Sequence, residues 1–571
     1  MNQEIFAFRA DYHPVLAKLM DQMGLVETIN TTLREEADDV LVDTGTVVAA
    51  MIHNLLGEGA IRLYRLSSFF ADKPLPLLFP WSAQLDPSQL NDDRAGRALD
   101  TLWAAGPQKV FSAVSQQVIK RYALDLKAVH ADTTSRSFCG AYDDQDAAVP
   151  QITYGYSKDH RPDLKQILFG VGTSRDGVPV VAEVCSGNQS DMTWNTRWIK
   201  AVRDQVGLSA DTPLVYVADS ALVTSGNLDV LADARIDFIT RLPERFGIAE
   251  DLMEAALSRR KDWLQVGTMA AGEKAATYQL WETEQELNGR VYRFVVVHSS
   301  SLDERRLRAL ERHVAKEGAL LEDALTDIRQ QEFVCAPDAE RAWARFLVQH
   351  APAWHTLTAQ VKGHEQKVKR ARPGCPRKNE QPQVETVYRP GAQMERDAER
   401  YQQERDKCGM FVLMSSLRHR EEWSGREILA EYKGQTGVER IFRFIKNPAW
   451  VGAFCLKEPE RIAAFGYVVL LAAMVYTLLE RQVRRALAEP REAPVEGLNR
   501  QLTRRPTSYA IQMALTPILV IGQRRRGQLE LRPSGALSQN QHRLLRLAGF
   551  DDGVYYWRGK MPPLNPIYQT G

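Results

Sequence analysis

The sequence of 571 residues has no CxxC pair: of its six cysteines, at 139, 185, 335, 375, 408 and 455, the closest two are 33 positions apart. That spacing excludes a zinc ribbon or a dithiol redox motif and predicts reduced, cytosolic thiols. A large excess of charge of either sign is missing too. Lys and Arg number 73 against 72 Asp and Glu, a net charge of +1, so contact with nucleic acid has to come from local clusters. The start, MNQEIFAFRADYH, has no basic region followed by an apolar stretch, which predicts no secretory signal. The run Ile462 to Leu479 is 18 residues without charge and meets the lower length limit for a membrane span. Small residues, two tyrosines and flanking Glu460, Arg461, Glu480 and Arg481 favour a helix buried in protein instead.

What remains is an ordinary globular balance, 44% hydrophobic and 25% charged, in a chain too long for one core. Residues 1–122 read as mainly helical, interrupted by Pro74, Pro76, Pro80 and Trp81. A helical DNA-binding module fits this segment, and a plain helical bundle fits it slightly better. From Leu126 the apolar period becomes two. LKAVHADTTS reads as a strand with Asp132 at its C-terminal end, and KQILFGVGTS and VPVVAEVCSG as two strands joined through Arg175-Asp176-Gly177. The helix DMTWNTRWIKAVRDQV, the strand PLVYVADSAL with Asp219 at its exit, the helical SGNLDVLADAR and the strand DFITRLP follow. Three strands, helix, strand, helix, strand is the plan of an RNase H-like α/β core with a mixed sheet, assigned to residues 123–244. Ligand sites in open α/β sheets lie beyond strand ends, which singles out Asp132 and Asp219.

Residues 245–420 then have to be a large α+β insertion, because the core lacks its last helices. Inside it, a Ser301-x-x-Glu304 capping box opens a charged helix expected to reach about Leu347. Strand-like pieces lie around 354–361, 384–388 and 409–415. HEQKVKRARPGCPRKNE carries Lys367, Lys369, Arg370, Arg372, Arg377 and Lys378 and reads as an exposed, mobile basic loop, with phosphate binding and plain solvation both open. The core resumes over 421–480, and 481–571 reads as a mainly helical C-terminal region with loops, including Arg504, Arg505 and Arg524 to Arg526.

The resumed segment opens on a second capping box, Ser424-x-x-Glu427. One helix drawn through EYKGQTGVERIFRFIKNPAW puts Tyr432, Gln435, Glu439 and Lys446 within about 60° of arc, beside an apolar stripe of Val438, Ile441, Phe442 and Ile445. Gly434 and Gly437 weaken its first turns, where a kink is possible. Two carboxylates at strand ends and one on a packed helix supply the oxygen ligands that hard divalent cations need, and two such ions can drive in-line phosphoryl transfer. Lys446 on the same helix is then expected at a DNA phosphate. His130-x-Asp132 also hints at a mononuclear metallohydrolase; with no second His cluster, His130 reads as a core residue or a support for a ligand.

The spacing Tyr432-x2-Gln435-x3-Glu439-x6-Lys446 resembles the Tyr-Arg-Glu-Lys signature of bacterial insertion-sequence family four, the cut-and-paste DDE transposases. HADTTS, SKDHRPDLKQ at 157–166, GNQSD at 187–191 and VADSAL resemble segments of the same family, and the likeness runs in order from Leu126 to Leu479. It implies Asp132, Asp219 and Glu439 as the catalytic, metal-binding triad, two Mg²⁺ ions for which Mn²⁺ can substitute, and cleavage at terminal inverted repeats with strand transfer into target DNA. A homodimer on paired ends, no membrane, and a bacterial cytoplasmic, nucleoid-associated setting come with it. Tyr432, Gln435, Arg443, Lys446, Lys158, Arg161, Lys367, Lys369, Arg370 and Arg372 are the expected DNA contacts. Gln435 stands where the family commonly has Arg, which removes a charge that Arg443, about 20° from Tyr432 on the wheel, can restore. The alternatives are an RNase H-like structure-specific nuclease and a domesticated DNA-binding protein without catalysis.

Overall fold

The alternating and continuous apolar runs after Leu126 form a mixed sheet. The computed structural model describes residues 4–34, 42–57, 63–82, 84–143, 145–146, 148–269, 275–368, 384–448, 451, 454–525 and 527–560. The chain divides into two compact units, the first made of Met1–Arg241, Glu286–Tyr292 and Met414–Gly571, the second of Leu242–Gln285 and Arg293–Leu413.

In the first unit, β1 (Ala128–Phe138), β2 (Lys165–Ser174) and β3 (Pro179–Ser186) form an antiparallel meander. The β2–β3 turn uses Gly177 at φ 78°, a left-handed backbone that glycine adopts without strain. After α1 (Asp191–Val206), β4 (Val215–Ala218) lies parallel to β1, and after α2 (Ser225–Asp233), β5 (Asp237–Arg241) lies parallel to β4. The spatial order is β3-β2-β1-β4-β5. The helices are the crossovers that parallel neighbours require. Helix α1 seats Trp194 and Trp198 over β2, where a Cβ at Gly170 or Gly172 would come within 2.4 Å or 2.2 Å of an indole. Two glycines in an otherwise apolar strand thus make room for the two largest side chains of α1.

The returning segment forms α3 (Gly425–Lys433), α4 (Thr436–Lys446) and α5 (Pro459–Leu487). Helix α5 is long and apolar enough to span a membrane, and 94% of its most apolar window is buried in the protein. It packs against β3 and against the helices His13–Met23, Thr44–Leu55, Asp92–Ala105 and Pro107–Tyr122, so an all-round apolar sequence follows from neighbours on every side. Asp43 caps the Thr44 helix by accepting from the Thr46 N–H.

Three sequence expectations are corrected. The C-terminal region is not mainly helix and loop: the strands Leu519–Arg525, Gln528–Pro533 and Trp557–Lys560 join Glu4–Arg9 in a four-stranded sheet, Phe6 facing Gly522. In the second unit, the charged helix starts at Glu304 with Asp303, not Ser301, as its cap, and ends at Gln330; Ala336–Gln349 is a separate helix. Between them Phe333 exchanges backbone hydrogen bonds with Tyr388, which pulls the chain extended, and Pro337 opens the next helix where no N–H is needed. Residues 364–367 are not loop either. His355–Lys367 pairs antiparallel with Val384–Arg396, and both strands pack on Leu321, Leu325, Ile328 and Phe346 through Leu357 and Ala392.

Candidate active site

Asp132 lies in the middle of β1, not at its end, because the strand continues to Phe138. Its parallel partner is what stops there. His130 pairs with Val217, so Asp132 and Asp219 each stand two residues beyond one matched pair, on neighbouring strands at one level. Beyond Ala218 the chain turns away, and Asp219 caps the turn Ser220–Leu222 by accepting from the Ala221 N–H at 3.0 Å. The Asp132 carboxylate accepts from the Thr133 N–H at 2.6 Å.

A third carboxylate comes from Asp191, the first residue of α1. Its carboxylate accepts a hydrogen bond from the Thr133 hydroxyl at 2.5 Å. Lys158 sits among the acids: its Nζ donates to Thr133 O (2.8 Å) and Oγ1 (2.7 Å) and lies 3.2 Å from Asp191 Oδ2 and 3.6 Å from Asp132 Oδ1. Burial pushes the Asp132 carboxyl up to about 6; Lys158 opposes this, and Asp219 and Asp191 add to it. Asp219 is raised as well, chiefly by burial, with Asp191 adding. The three acids therefore feel one another's charge.

The helix drawn through 431–450 is in fact two. Gly434 N–H bonds back to Ala430 and Glu431, Gln435 N–H to Tyr432 and Gly437 N–H to Gly434, a tightened turn that separates α3 from α4. Tyr432 belongs to α3 and Gln435 caps α4, so neither shares a continuous wheel with Glu439 and Lys446. The turn is tight because it lies on β1: a Cβ at Gly434 would meet the His130 ring at 2.8 Å. His130 Nε2 is 2.8 Å from Glu431 Oε1, and Arg175 pairs with Glu431 Oε2 at 2.7 Å. Both hold Glu431 below the usual range against the opposing effect of burial. At the other end of α4, Arg136 of β1 donates to the carbonyls of Ile445 and Val451.

Tyr432 follows Glu431 on α3. Burial raises its phenol most; Arg241 opposes, while Asp219, Asp132 and Glu439 each raise it further. Tyr432 thus feels the charge of all three sequence-predicted carboxylates. Glu439 itself is exposed in the first turn of α4.

Of the expected DNA contacts, Lys158 lies at the acids and the next residue, Asp159, brings in Lys446. Lys446 is ion-paired with Asp159 at 2.5 Å, and Arg161 with Asp163 at 2.7 Å. Arg443 is exposed on α4. Lys367 ends a strand of the second unit opposite Val384. Lys369, Arg370, Arg372, Arg377 and Lys378 lie outside the described residues. Asp191 and Thr133 are the site residues that sequence reasoning missed. GNQSD was a visible signal, but an Asp after a capping Ser reads as an ordinary first-turn acid.

Among the described residues, no group of three His, Cys, Asp or Glu side chains stands ready to hold a metal ion, and the cation between Asp132 and Asp191 is the Lys158 ammonium.

The sequence matches the family described as Transposase DDE domain over residues 131–475 and a domain of unknown function, DUF4277, over 6–116. No curated protein matches the chain. Among solved structures, a piggyBac transposase synaptic complex with hairpin DNA aligns over 90% of this chain and 82% of that one, at 10% identity and a TM-score of 0.36. A Mos1 transposase paired-end complex with the left transposon end aligns over 33% of this chain and 57% of that one, at 10% identity and a TM-score of 0.15. The family match covers well over half of the sequence and takes in Asp132, Asp191, Asp219, Tyr432 and Glu439, and on it the chain belongs to the DDE transposase family and is a DNA transposase.

Proposed function

We propose that this transposase cleaves DNA at the ends of its element and joins them to target DNA by a cut-and-paste route, with Asp132, Asp219 and Glu439 as the catalytic metal ligands of an RNase H-like core. The observation that carries the reading is that Asp132 and Asp219 each follow the matched pair His130–Val217 by two residues, while Tyr432 feels the charge of both and of Glu439. The order β3-β2-β1-β4-β5 with crossovers through α1 and α2 supports the RNase H-like assignment. The spacing from Tyr432 to Lys446 supports a place near insertion-sequence family four.

Enzymes of this family use divalent metal ions. The donor set fits such ions in kind: carboxylate oxygens are hard ligands, and burial, with neighbouring carboxylates adding, raises Asp132 and Asp219 in a way that a cation relieves. Two Mg²⁺ ions, replaceable by Mn²⁺, would supply the charge that activates the attacking oxygen and stabilises the leaving one. The chain's own residues do the rest. Asp132 is fixed by the Thr133 N–H and Asp219 by the Ala221 N–H, so both carboxylates are oriented before any ligand arrives. Tyr432 keeps its proton and offers an O–H donor beside the acids. Arg443 on the exposed side of α4 suits a DNA phosphate. A homodimer on paired ends, acting on nucleoid DNA in the bacterial cytoplasm, completes the proposal.

Incubating the full chain with DNA carrying the element's inverted repeats, a supercoiled target and Mg²⁺ or Mn²⁺ tests it. The expected products are free 3′-hydroxyl ends and their joints to target. Equal cleavage after exhaustive chelation would rule the mechanism out.

A further inference from the structure

Lys158 is the positive charge inside the acidic cluster, with Nζ 3.2 Å from Asp191 and 3.6 Å from Asp132. It also donates twice to Thr133, whose hydroxyl donates on to Asp191. The next residue, Asp159, holds Lys446 of α4. Two consecutive residues therefore neutralise the acids on one side and a helix cation on the other. The acids are held by strand, turn and helix backbone, whereas the ammonium rides on four methylenes and can leave.

We propose that Lys158 is the resident counter-ion of the cluster, in the position a divalent cation takes, and that Asp191 is a further carboxylate of the same site. Cation entry then requires the ammonium to swing out, since a lysine charge within a few ångströms repels a dication. Outside the cluster the freed ammonium is a phosphate donor. The same side chain thus opposes cation binding and favours DNA binding once the cation is in. The inference rests on the reading of Asp132 and Asp219 as cation ligands.

Calcium is a suitable probe, because it binds carboxylate oxygens. Its binding to the full chain, without DNA, is measured by calorimetry for the wild type, Lys158→Met, Lys158→Gln, Lys158→Arg, Asp191→Asn and Asp219→Asn. Both neutral Lys158 variants should bind calcium about tenfold more tightly than the wild type, and Lys158→Arg within about threefold of it. Asp191→Asn should bind about tenfold more weakly. In the calcium-loaded protein, Lys158→Gln should bind end DNA more weakly than the wild type. Unchanged or weaker calcium binding in whichever neutral Lys158 variant folds overturns the counter-ion role, and unchanged binding in Asp191→Asn removes that residue from the site. A wild-type affinity in Asp219→Asn would mark a different failure, that of the acidic site itself.

Discussion

Asp132 is an acid held in a place that disfavours its charge. Burial lifts its carboxyl from 3.8 to about 6 even with Lys158 beside it. A folded value above the unfolded one stabilises the protein at low pH, and that contribution is lost as pH rises through about 6. Without metal, Asp132→Asn should therefore be more stable than the wild type at pH 7.5 by about 1–2 kcal/mol, after discounting for the carboxyl's partial exposure. The difference should vanish near pH 4. Thermal melts in chelator at the two pH values check this, and a less stable variant at pH 7.5 would contradict it. Asp132 and Asp219 were legible from the sequence because both follow apolar strand runs. Asp191 was not, and Lys158 was expected as a DNA contact rather than as a partner of these acids, since both meanings lie in contacts among residues from β1, α1 and the segment before β2.

Helix α4 has 11 residues, too few to persist alone, and it depends on β1 at both ends. The His130–Glu431 contact fixes the turn before it, and Arg136 binds the carbonyls after it. Arg136→Met should cost about 2–3 kcal/mol of stability, because it strips a charged donor from two carbonyls. It should also slow end cleavage at least tenfold while end binding is kept. Unchanged cleavage would mean that Glu439 stays in position without the clamp. The cap at Ser424 and Glu427 was readable, as both halves of its reciprocal bonding lie within four residues. The break at Gly434 was not, because what tightens that turn is a histidine some three hundred positions away. The break after Gln330 has the same kind of cause, a backbone pairing of Phe333 with Tyr388.

For the whole molecule, element order was readable and long-range closure was not. Strand Glu4–Arg9 finds its partner at Leu519–Arg525, a pairing that no local pattern announces. The all-round apolar character of α5 suited lipid or protein alike; its small residues, tyrosines and flanking charges pointed to protein, and 94% of its most apolar window is buried there. The register of β1 with β4 is the long-range fact that matters most, because it turns two acids 87 positions apart in the chain into neighbours. The most direct measurement of the central claim is cleavage of end DNA in Mg²⁺ by Asp132→Asn, Asp219→Asn and Glu439→Gln, with end binding measured beside it. Each variant should lose cleavage by about a thousandfold or more while binding stays within about threefold of the wild type. Substantial cleavage by Glu439→Gln would contradict the account.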